Sequence, residues 1–317
     1  MGDLLADAIT PPPVPTGAKV GVCAPSGPCP PSRLRPGVDL LGAHLRLRLG
    51  PVAQRLLDGG APQGFLAGSD DERADELNAL LRDPDVRAIV MARGGHGLSR
   101  ILDRLDVAAL RADPKPLLGF SDGTALLAWA LHAGVRPLHG PVLVQLADLP
   151  TADLRALVDA LLGAPPPTPL ATELVPLGAP GSVVAGRLVA GNLTMLAQLV
   201  GTPWAMPMAG ALLAIEDVGE RPYAIDRDLT QLANAGALAQ VEAVMVGDLT
   251  RCTDPPLAAG AVDDPAPALA TVDERLRAAG RVGARGLPIG HGARNHTLPL
   301  GARARLDLET RTLQLDD

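Results

Sequence analysis

Three short apolar runs, each ended by a tight loop, constrain the fold of this chain most. The runs and the loops after them are Lys19–Ala24 with residues 25–28, Val86–Ala92 with 94–97, and Pro116–Phe120 with 121–123. Helical patterns follow the last two loops, first at Leu98, Ile101, Leu102 and Leu105, then from Thr124 to about His132. A repeated strand, loop and helix predicts a parallel sheet with helices on both faces. Ligands of such sheets bind beyond the carboxyl ends of the strands, where these loops lie.

A capping box marks the start of another helix. Ser69 and Glu72 have its spacing, ahead of the helical pattern Ala74, Leu77, Leu80 and Leu81. Asp70 and Asp71 lie in the same first turn, where the helix dipole favours carboxylates. We therefore expect Asp70, Asp71 and Glu72 to have a structural role.

The pattern changes after a stretch rich in proline and glycine, which we interpret as a domain boundary. The segments are an extended tail (1–16), an α/β domain (17–162), a linker (163–180) and a smaller β-rich α+β domain (181–317). In the last segment, predicted strands (Leu212–Ile215, Val241–Val246, Ala304–Leu308) alternate with predicted helices (Asn192–Val200, Ile225–Ala235).

Composition excludes several classes of function. A net charge of -7 and 2% aromatic residues argue against nucleic-acid binding. The three cysteines (Cys23, Cys29, Cys252) cannot all pair and form no Cys-x-x-Cys motif, so we expect small buried thiols, with neither a disulfide framework nor a cysteine-based zinc site. The first residues lack a signal-peptide pattern, and no run reaches the roughly 18–20 apolar residues of a membrane span. We therefore expect a cytoplasmic protein.

The strongest local motif is Gly119-Phe120-Ser121-Asp122-Gly123, which has the Gly-x-Ser-x-Gly spacing between a predicted strand and a predicted helix. A serine on such a sharp turn projects from the sheet edge, and the N–H of Asp122 is placed to bind an oxyanion. Serine is also a favoured N-cap, so an ordinary strand–helix turn explains the pentapeptide equally well.

A nucleophilic serine needs a base and an orienting carboxylate. The histidines are His44, His96, His132, His139, His291 and His296. His291 lies between two glycines, which free a side chain to project into a cleft. His96 lies in the glycine loop and is a candidate to face a substrate. Glu216 ends the apolar run Ala211–Ile215 and is the candidate carboxylate, although a salt bridge to an arginine would explain it as well.

Taken together, these motifs resemble the LD-carboxypeptidase family, also called muramoyltetrapeptide carboxypeptidases, which includes the microcin C self-immunity peptidases. The resemblance runs from about Lys19 to Leu308. It rests on Ala24-Pro25-Ser26-Gly27, Ala67-Gly68-Ser69-Asp70 with Arg73, Arg93-Gly94-Gly95-His96-Gly97, the Ser121 motif with Thr124, His139-Gly140-Pro141, Gly191-Asn192-Leu193-Thr194, Ile215-Glu216-Asp217, Pro222-Tyr223 through Arg227, and Gly290-His291-Gly292 with Asn295, Leu298-Pro299 and Gly301.

The resemblance implies a catalytic triad of Ser121, Glu216 and His291 in a cleft between the two domains, in a homodimer without metal or cofactor. It also implies a muropeptide substrate with a bond from an L-centre to D-alanine. We expect the N–H groups of Gly95 and Asp122 to bind the oxyanion, and Arg93, His96 and Tyr223 to contact substrate. Asp217, Asp226 and Arg227 are expected to form structural pairs.

The sequence departs from the family pattern at His96, Gly123 and Thr194, where an aromatic residue, a larger residue and serine are common. None of these belongs to the triad, but the first two bear on substrate contacts. Two alternatives remain open: a family member that cleaves peptidyl- or aminoacyl-nucleotides, and a ligand-binding module without activity. The diamino acid preferred, the dimer geometry and the residues that bind the terminal carboxylate also remain open.

Overall fold

The computed structural model describes residues 4–179, 181–254 and 263–316, and these form two compact units. The first unit contains residues 7–165 and 296–299. The second unit contains the described residues among 1–6, 166–295 and 300–317. Residues 1–3 of the predicted tail, residue 180 of the predicted linker, and residues 255–262 and 317 of the predicted second domain lie outside the described residues.

The strands are β1 (Lys19–Cys23), β2 (Arg46–Leu49), β3 (Val86–Met91), β4 (Leu117–Gly119), β5 (Leu138–His139), β6 (Val175–Gly178), β7 (Val183–Asn192), β8 (Ala211–Val218), β9 (Ala243–Thr250), β10 (Val282–Arg285), β11 (Leu298–Pro299), β12 (Arg303–Asp307) and β13 (Thr312–Leu315). The α-helices are α1 (Leu4–Asp7), α2 (Pro31–Gly42), α3 (Pro51–Leu57), α4 (Asp70–Arg82), α5 (Val107–Ala112), α6 (Thr124–His132), α7 (Thr151–Leu161), α8 (Leu193–Leu199), α9 (Pro222–Asn234) and α10 (Ala266–Ala278).

The sheet of the first unit has, among the described residues, the order β11-β5-β4-β3-β1-β2. All its neighbours are parallel except β11, which is antiparallel to β5. The predicted parallel-sheet α/β domain is therefore confirmed. Because the strands of such a sheet end at one edge, the loops after β1, β3 and β4 lie side by side.

The core of the first unit explains why its central strands are almost uniformly apolar. Val20 and Val22 of β1 pack in one cluster with Leu34, Leu56 and Leu157 from α2, α3 and α7. On α4, Ser69 forms the predicted capping box: its hydroxyl accepts from the Glu72 N–H, and the Glu72 carboxylate accepts from the Ser69 N–H. The carboxylates of this turn also pair with arginines. Both observations confirm their structural role.

One helical prediction is wrong in type. The pattern Leu98, Ile101, Leu102 and Leu105 forms two short 3₁₀ turns, Leu98–Arg100 and Leu102–Arg104. The α-helix begins only at Val107, where the Asp106 side chain accepts a hydrogen bond from the Ala109 N–H. The apolar side chains of the turns are buried, so burial produced a helix-like spacing without a continuous α-helix.

The second unit contains, in the part of the chain described, a mixed sheet of order β13-β12-β7-β8-β9-β10-β6. Its centre, β7-β8-β9-β10, is parallel, and the outer strands β6, β12 and β13 pair antiparallel. This confirms a second, β-rich α+β domain. Strand β6 lies within the predicted linker, residues 163–180.

Candidate active site

Ser121 lies in a sharp turn between β4 and α6 in the first unit. Its φ of 60° is a left-handed conformation that residues with a side chain rarely adopt. Its side chain is half-buried. The N-cap residue of α6 is Gly123, so Ser121 is not an ordinary N-cap serine. A strained strand–turn–helix junction is the geometry in which a nucleophilic serine projects from a parallel sheet.

The glycine loop after β3 approaches this turn closely. A Cβ at Gly94 would lie 2.7 Å from Cβ and 3.0 Å from Oγ of Ser121, so a larger residue does not fit. Gly95 has a φ of 112°, and a Cβ there would lie 3.0 Å from the Cα of Gly27. The Gly27 N–H donates to the Gly94 carbonyl at 3.1 Å. The glycine loop thus lies against Ser121, and the loop after β1 lies against the glycine loop.

The N–H groups of Gly95 and Asp122 are the predicted oxyanion donors. Within residues 4–179, 181–254 and 263–316, neither group donates a hydrogen bond to the protein. The Asp122 N–H lies just before α6, where the helix dipole favours negative charge. Both groups are therefore available to bind an anion beside Ser121.

Arg93 and His96 border the same glycine loop. The Arg93 guanidinium is half-buried and donates to the Pro28 carbonyl. Arg93 forms no salt bridge with the described residues, so its charge is not neutralised by a carboxylate there. His96 is exposed, and its ring lies 5.7 Å from the ring of Phe65, centroid to centroid. The Arg93 cation and the Phe65–His96 ring pair thus lie next to the glycine loop.

Glu216 and His291 meet in the second unit. The Glu216 carboxylate is fully buried, and its Oε2 lies 2.7 Å from Nδ1 of His291. Its Oε1 accepts from the side-chain amide of Asn192, which is its neighbour in the register between β7 and β8. The pairing of β8 with β9 shifts register between Ile215 and Asp217, and such a bulge re-aims side chains. When Nδ1 donates its proton to Glu216, Nε2 becomes the basic nitrogen of the imidazole.

Asp217 has a structural role, as expected. Its Oδ2 accepts from the N–H and hydroxyl of Thr194, each at 2.9 Å, and its Oδ1 accepts from Asn192 and from Val218. Burial, then the neighbouring Glu216 charge, raises the pKa of this carboxyl. Asn192 therefore holds both acidic side chains at the end of β8.

Tyr223 is exposed at the start of α9. The guanidinium carbons of Arg221 and Arg227 lie 5.9 Å and 6.0 Å from its ring centroid. Asp226 pairs with Arg275 at 3.3 Å, and Arg227 with Asp228 at 3.8 Å. Asp226 and Arg227 thus each form an ion pair, though with partners other than each other.

Asp248 lies near the candidate site but was not among the residues predicted from the sequence. Its N–H donates to the Ile289 carbonyl at 2.8 Å, and a Cβ at Gly292 would lie 2.1 Å from its Oδ2. The carboxylate therefore packs against the Gly290-His291-Gly292 turn, and burial raises its pKa. The sequence signal that could have identified Asp248 is its position as a polar residue near the end of the buried strand β9.

Other predictions concern metals, thiols and membranes. The described residues contain no group of three or more His, Cys, Asp or Glu side chains that could hold a metal ion. Cys23, Cys29 and Cys252 are free and buried, as expected, and burial raises the pKa of each thiol. Among the described helices, none combines the length and the apolar character needed to span a bilayer.

Comparison with known proteins places both halves of the chain. Residues 20–140 match the LD-carboxypeptidase N-terminal domain, and residues 185–306 match the LD-carboxypeptidase C-terminal domain. A Streptomyces coelicolor protein named "Putative carboxypeptidase" is 40% identical, over 95% of this chain and 94% of its own length. The chain belongs to the LD-carboxypeptidase family.

Other members of the LD-carboxypeptidase family extend the comparison. The murein tetrapeptide carboxypeptidase of Pseudomonas aeruginosa is 33% identical, over 77% of this chain and 80% of its own length. The structure of the microcin C7 self-immunity protein with aspartyl sulfamoyl adenosine matches with a TM-score of 0.79 over 98% of both chains, at 24% identity. At that identity the likeness shows the fold alone.

Proposed function

We propose that this LD-carboxypeptidase family hydrolase is a serine carboxypeptidase that cleaves the bond between the L-centre of a diamino acid and D-alanine in murein tetrapeptides. The observation that carries the proposal is the buried Glu216 carboxylate 2.7 Å from Nδ1 of His291. That pair supplies an oriented general base, and Ser121, in its strained turn, supplies the nucleophile.

In the first half of the proposed reaction, the Ser121 hydroxyl attacks the carbonyl carbon before D-alanine, and Nε2 of His291 takes the hydroxyl proton. Glu216 holds the imidazole in the required tautomer and stabilises its cation. The N–H groups of Gly95 and Asp122 bind the oxyanion of the tetrahedral intermediate. His291 then gives the proton to the leaving amine, and D-alanine departs.

In the second half, His291 deprotonates a water molecule, which attacks the acyl carbon. The tetrahedral intermediate collapses, the proton returns to Ser121, and the shortened peptide is released. The mechanism uses side chains and backbone N–H groups alone.

The terminal carboxylate of D-alanine needs a cation or several N–H donors. Arg93 fits this role because it borders the glycine loop and forms no salt bridge with the described residues. We propose that its guanidinium binds this carboxylate, and that His96 contributes to the wall of the same subsite.

A substrate that carries a nucleobase would need an open aromatic surface. Phe120 and Trp129 are fully buried and Trp204 is half-buried, whereas Phe65 and Tyr223 are exposed. The Tyr223 ring already contacts two guanidinium groups, and the Phe65 ring contacts His96. This supply of aromatic rings favours a muropeptide over a peptidyl-nucleotide.

The test compares kcat/KM on a murein tetrapeptide with kcat/KM on an aminoacyl sulfamoyl adenosine. The proposal predicts D-alanine release from the tetrapeptide with the higher kcat/KM. An Arg93→Gln variant should raise KM on the tetrapeptide more than it lowers kcat, because it removes ground-state binding of the carboxylate. A clear preference of the wild-type protein for the nucleotide would refute the proposed substrate.

A further inference from the structure

The mechanism above uses only the N–H of Asp122, yet its side chain is 1% exposed. Its Oδ2 accepts hydrogen bonds from the Ser26 hydroxyl at 2.6 Å and from the Leu98 N–H at 3.0 Å. Its Oδ1 is buried and has no hydrogen-bond partner among the described residues. Burying a carboxylate is unfavourable unless its interactions compensate. The burial of the Asp122 side chain therefore indicates that it has a role of its own.

A buried cation, Arg73 of α4, contacts the same two loops. Its side chain is 0% exposed, and its Nη1 donates to the Gly97 carbonyl at 2.9 Å and to the Pro25 carbonyl. Its Nε donates to the Gly68 carbonyl at 3.1 Å, and its other terminal nitrogen pairs with Asp70. Burial lowers the pKa of Arg73, and the charges of Asp70 and Asp122 oppose that shift.

The side chains of Asp122 and Arg73 therefore bind adjacent residues in each of the two loops. In the loop after β1, Arg73 binds the carbonyl of residue 25 and Asp122 binds the hydroxyl of residue 26. In the loop after β3, Arg73 binds the carbonyl of residue 97 and Asp122 binds the N–H of residue 98. Asp122 itself follows the nucleophile. One pair of opposite charges thus joins the ends of three neighbouring strands.

We infer that the side chains of Asp122 and Arg73 are positioning residues, which hold the glycine loop 94–97 against Ser121 and so fix the oxyanion donors. The inference rests on the proposed function. The three glycines of the loop have no side chains of their own to hold it, and Gly95 and Gly97 have positive φ, so beside the hydrogen bond from the Gly27 N–H to the Gly94 carbonyl the loop depends on contacts from other elements. Donors fixed in advance stabilise the transition state more than the substrate.

The expected signature is a fall in kcat with little change in KM, since the donors act mainly on the tetrahedral intermediate. Ser26→Ala removes one hydrogen bond to Asp122 and should lower kcat about tenfold. Asp122→Asn keeps an acceptor but removes the charge opposite Arg73 and adds a buried amide. It should lower kcat roughly 100-fold, near the loss that follows removal of one oxyanion donor.

The matched control is Ser99→Ala, because Ser99 is an exposed serine one residue beyond Leu98. The experiment measures kcat and KM for D-alanine release, together with hydrogen exchange at the Leu98 amide, which does not depend on any substrate. Ser26→Ala and Asp122→Asn should speed that exchange at least tenfold, and Ser99→Ala should leave both readouts unchanged.

Faster exchange together with a lower kcat and a stable KM supports the inference. Unchanged exchange in both variants overturns it, as does faster exchange with a wild-type kcat or with a change confined to KM. A different result separates the two claims: the wild-type protein releases no D-alanine, while hydrogen exchange at Leu98 still becomes faster in both variants. The proposed function then fails. The contacts of Asp122 and Arg73 would in that case have only a structural role, which also overturns the positioning role.

Discussion

At the residue scale, Ser121 shows how the fold supports an unfavourable backbone conformation. A residue with a side chain at a φ of 60° costs of the order of 1–3 kcal/mol. Gly94 leaves room for its Cβ and Oγ, and Gly123 packs against Met91, where a Cβ would lie 2.8 Å from Sδ. The Gly-x-Ser-x-Gly spacing predicted the turn. The close approach of Gly94 was not predictable, because it comes from a different strand end.

Glu76 of α4 is a second residue in an unfavourable state, a buried carboxyl group outside the candidate site. It is 1% exposed, and its two carboxylate oxygens accept from the N–H groups of Ala24 at 2.7 Å and Ala53 at 2.9 Å. Burial nevertheless raises its pKa from 4.5 to about 7. Between those two values the folded protein binds more protons at this site than the unfolded chain. Its contribution to stability is therefore complete below pH 4.5 and falls as the pH rises through 7.

We predict that Glu76→Gln removes this pH dependence. The free energy of unfolding of the wild type, relative to the variant, should fall by about 3 kcal/mol between pH 4.5 and neutral pH. Denaturant unfolding at several pH values measures it. Glu274→Gln controls for the substitution at an exposed site, where the side chain is 75% exposed. A difference in the free energy of unfolding between wild type and Glu76→Gln that stays constant over this range would show that the pKa of Glu76 is not raised in the folded protein.

At the element scale, buried strands and capped helices were predictable because local signals specify them. The runs at β1, β3 and β4 and the capping box of α4 appear within one or two residues of their predicted positions. The 3₁₀ turns after β3 were not predictable, because the same buried leucines fit an α-helix as well as a 3₁₀ helix. The Asp122 and Arg73 contacts were also missed, since hydrogen bonds between loops leave no periodic pattern in the sequence.

Gly94→Ala tests the contact between the glycine loop and the serine turn. The added Cβ would lie 2.7 Å from the Cβ of Ser121, so one loop must move, and a shift of about 1 Å can lower kcat/KM roughly 100-fold. Gly42→Ala is the control, because its Cβ would meet nothing closer than Leu47 at 3.8 Å. Wild-type kcat/KM in a folded Gly94→Ala protein would show that the contact has no catalytic importance.

At the scale of the whole molecule, the candidate catalytic residues are divided between the two units. Ser121 belongs to the first unit, and Glu216 and His291 belong to the second. The motifs predicted two domains, but residues 296–299 return to the first sheet as β11, paired with β5. A short two-residue strand after a turn gives no sequence signal, so this crossing was missed. The homodimer implied by the resemblance stays a prediction.

We predict that the activity does not depend on a bound metal ion. The proposed mechanism takes its nucleophile from Ser121 and its base from His291, so no metal-activated water is needed. Activity on a murein tetrapeptide should be unchanged after prolonged dialysis against EDTA. Loss of activity that zinc restores would refute the serine mechanism.

The nucleophilic role of Ser121 is tested by measuring D-alanine release from a murein tetrapeptide by the wild-type protein and by Ser121→Ala, each with its folded state checked by circular dichroism. The wild type should release one D-alanine per peptide. A folded Ser121→Ala protein should be slower by roughly 10⁴-fold or more, because the nucleophile is lost. Near wild-type release by that variant would show that Ser121 is not the nucleophile.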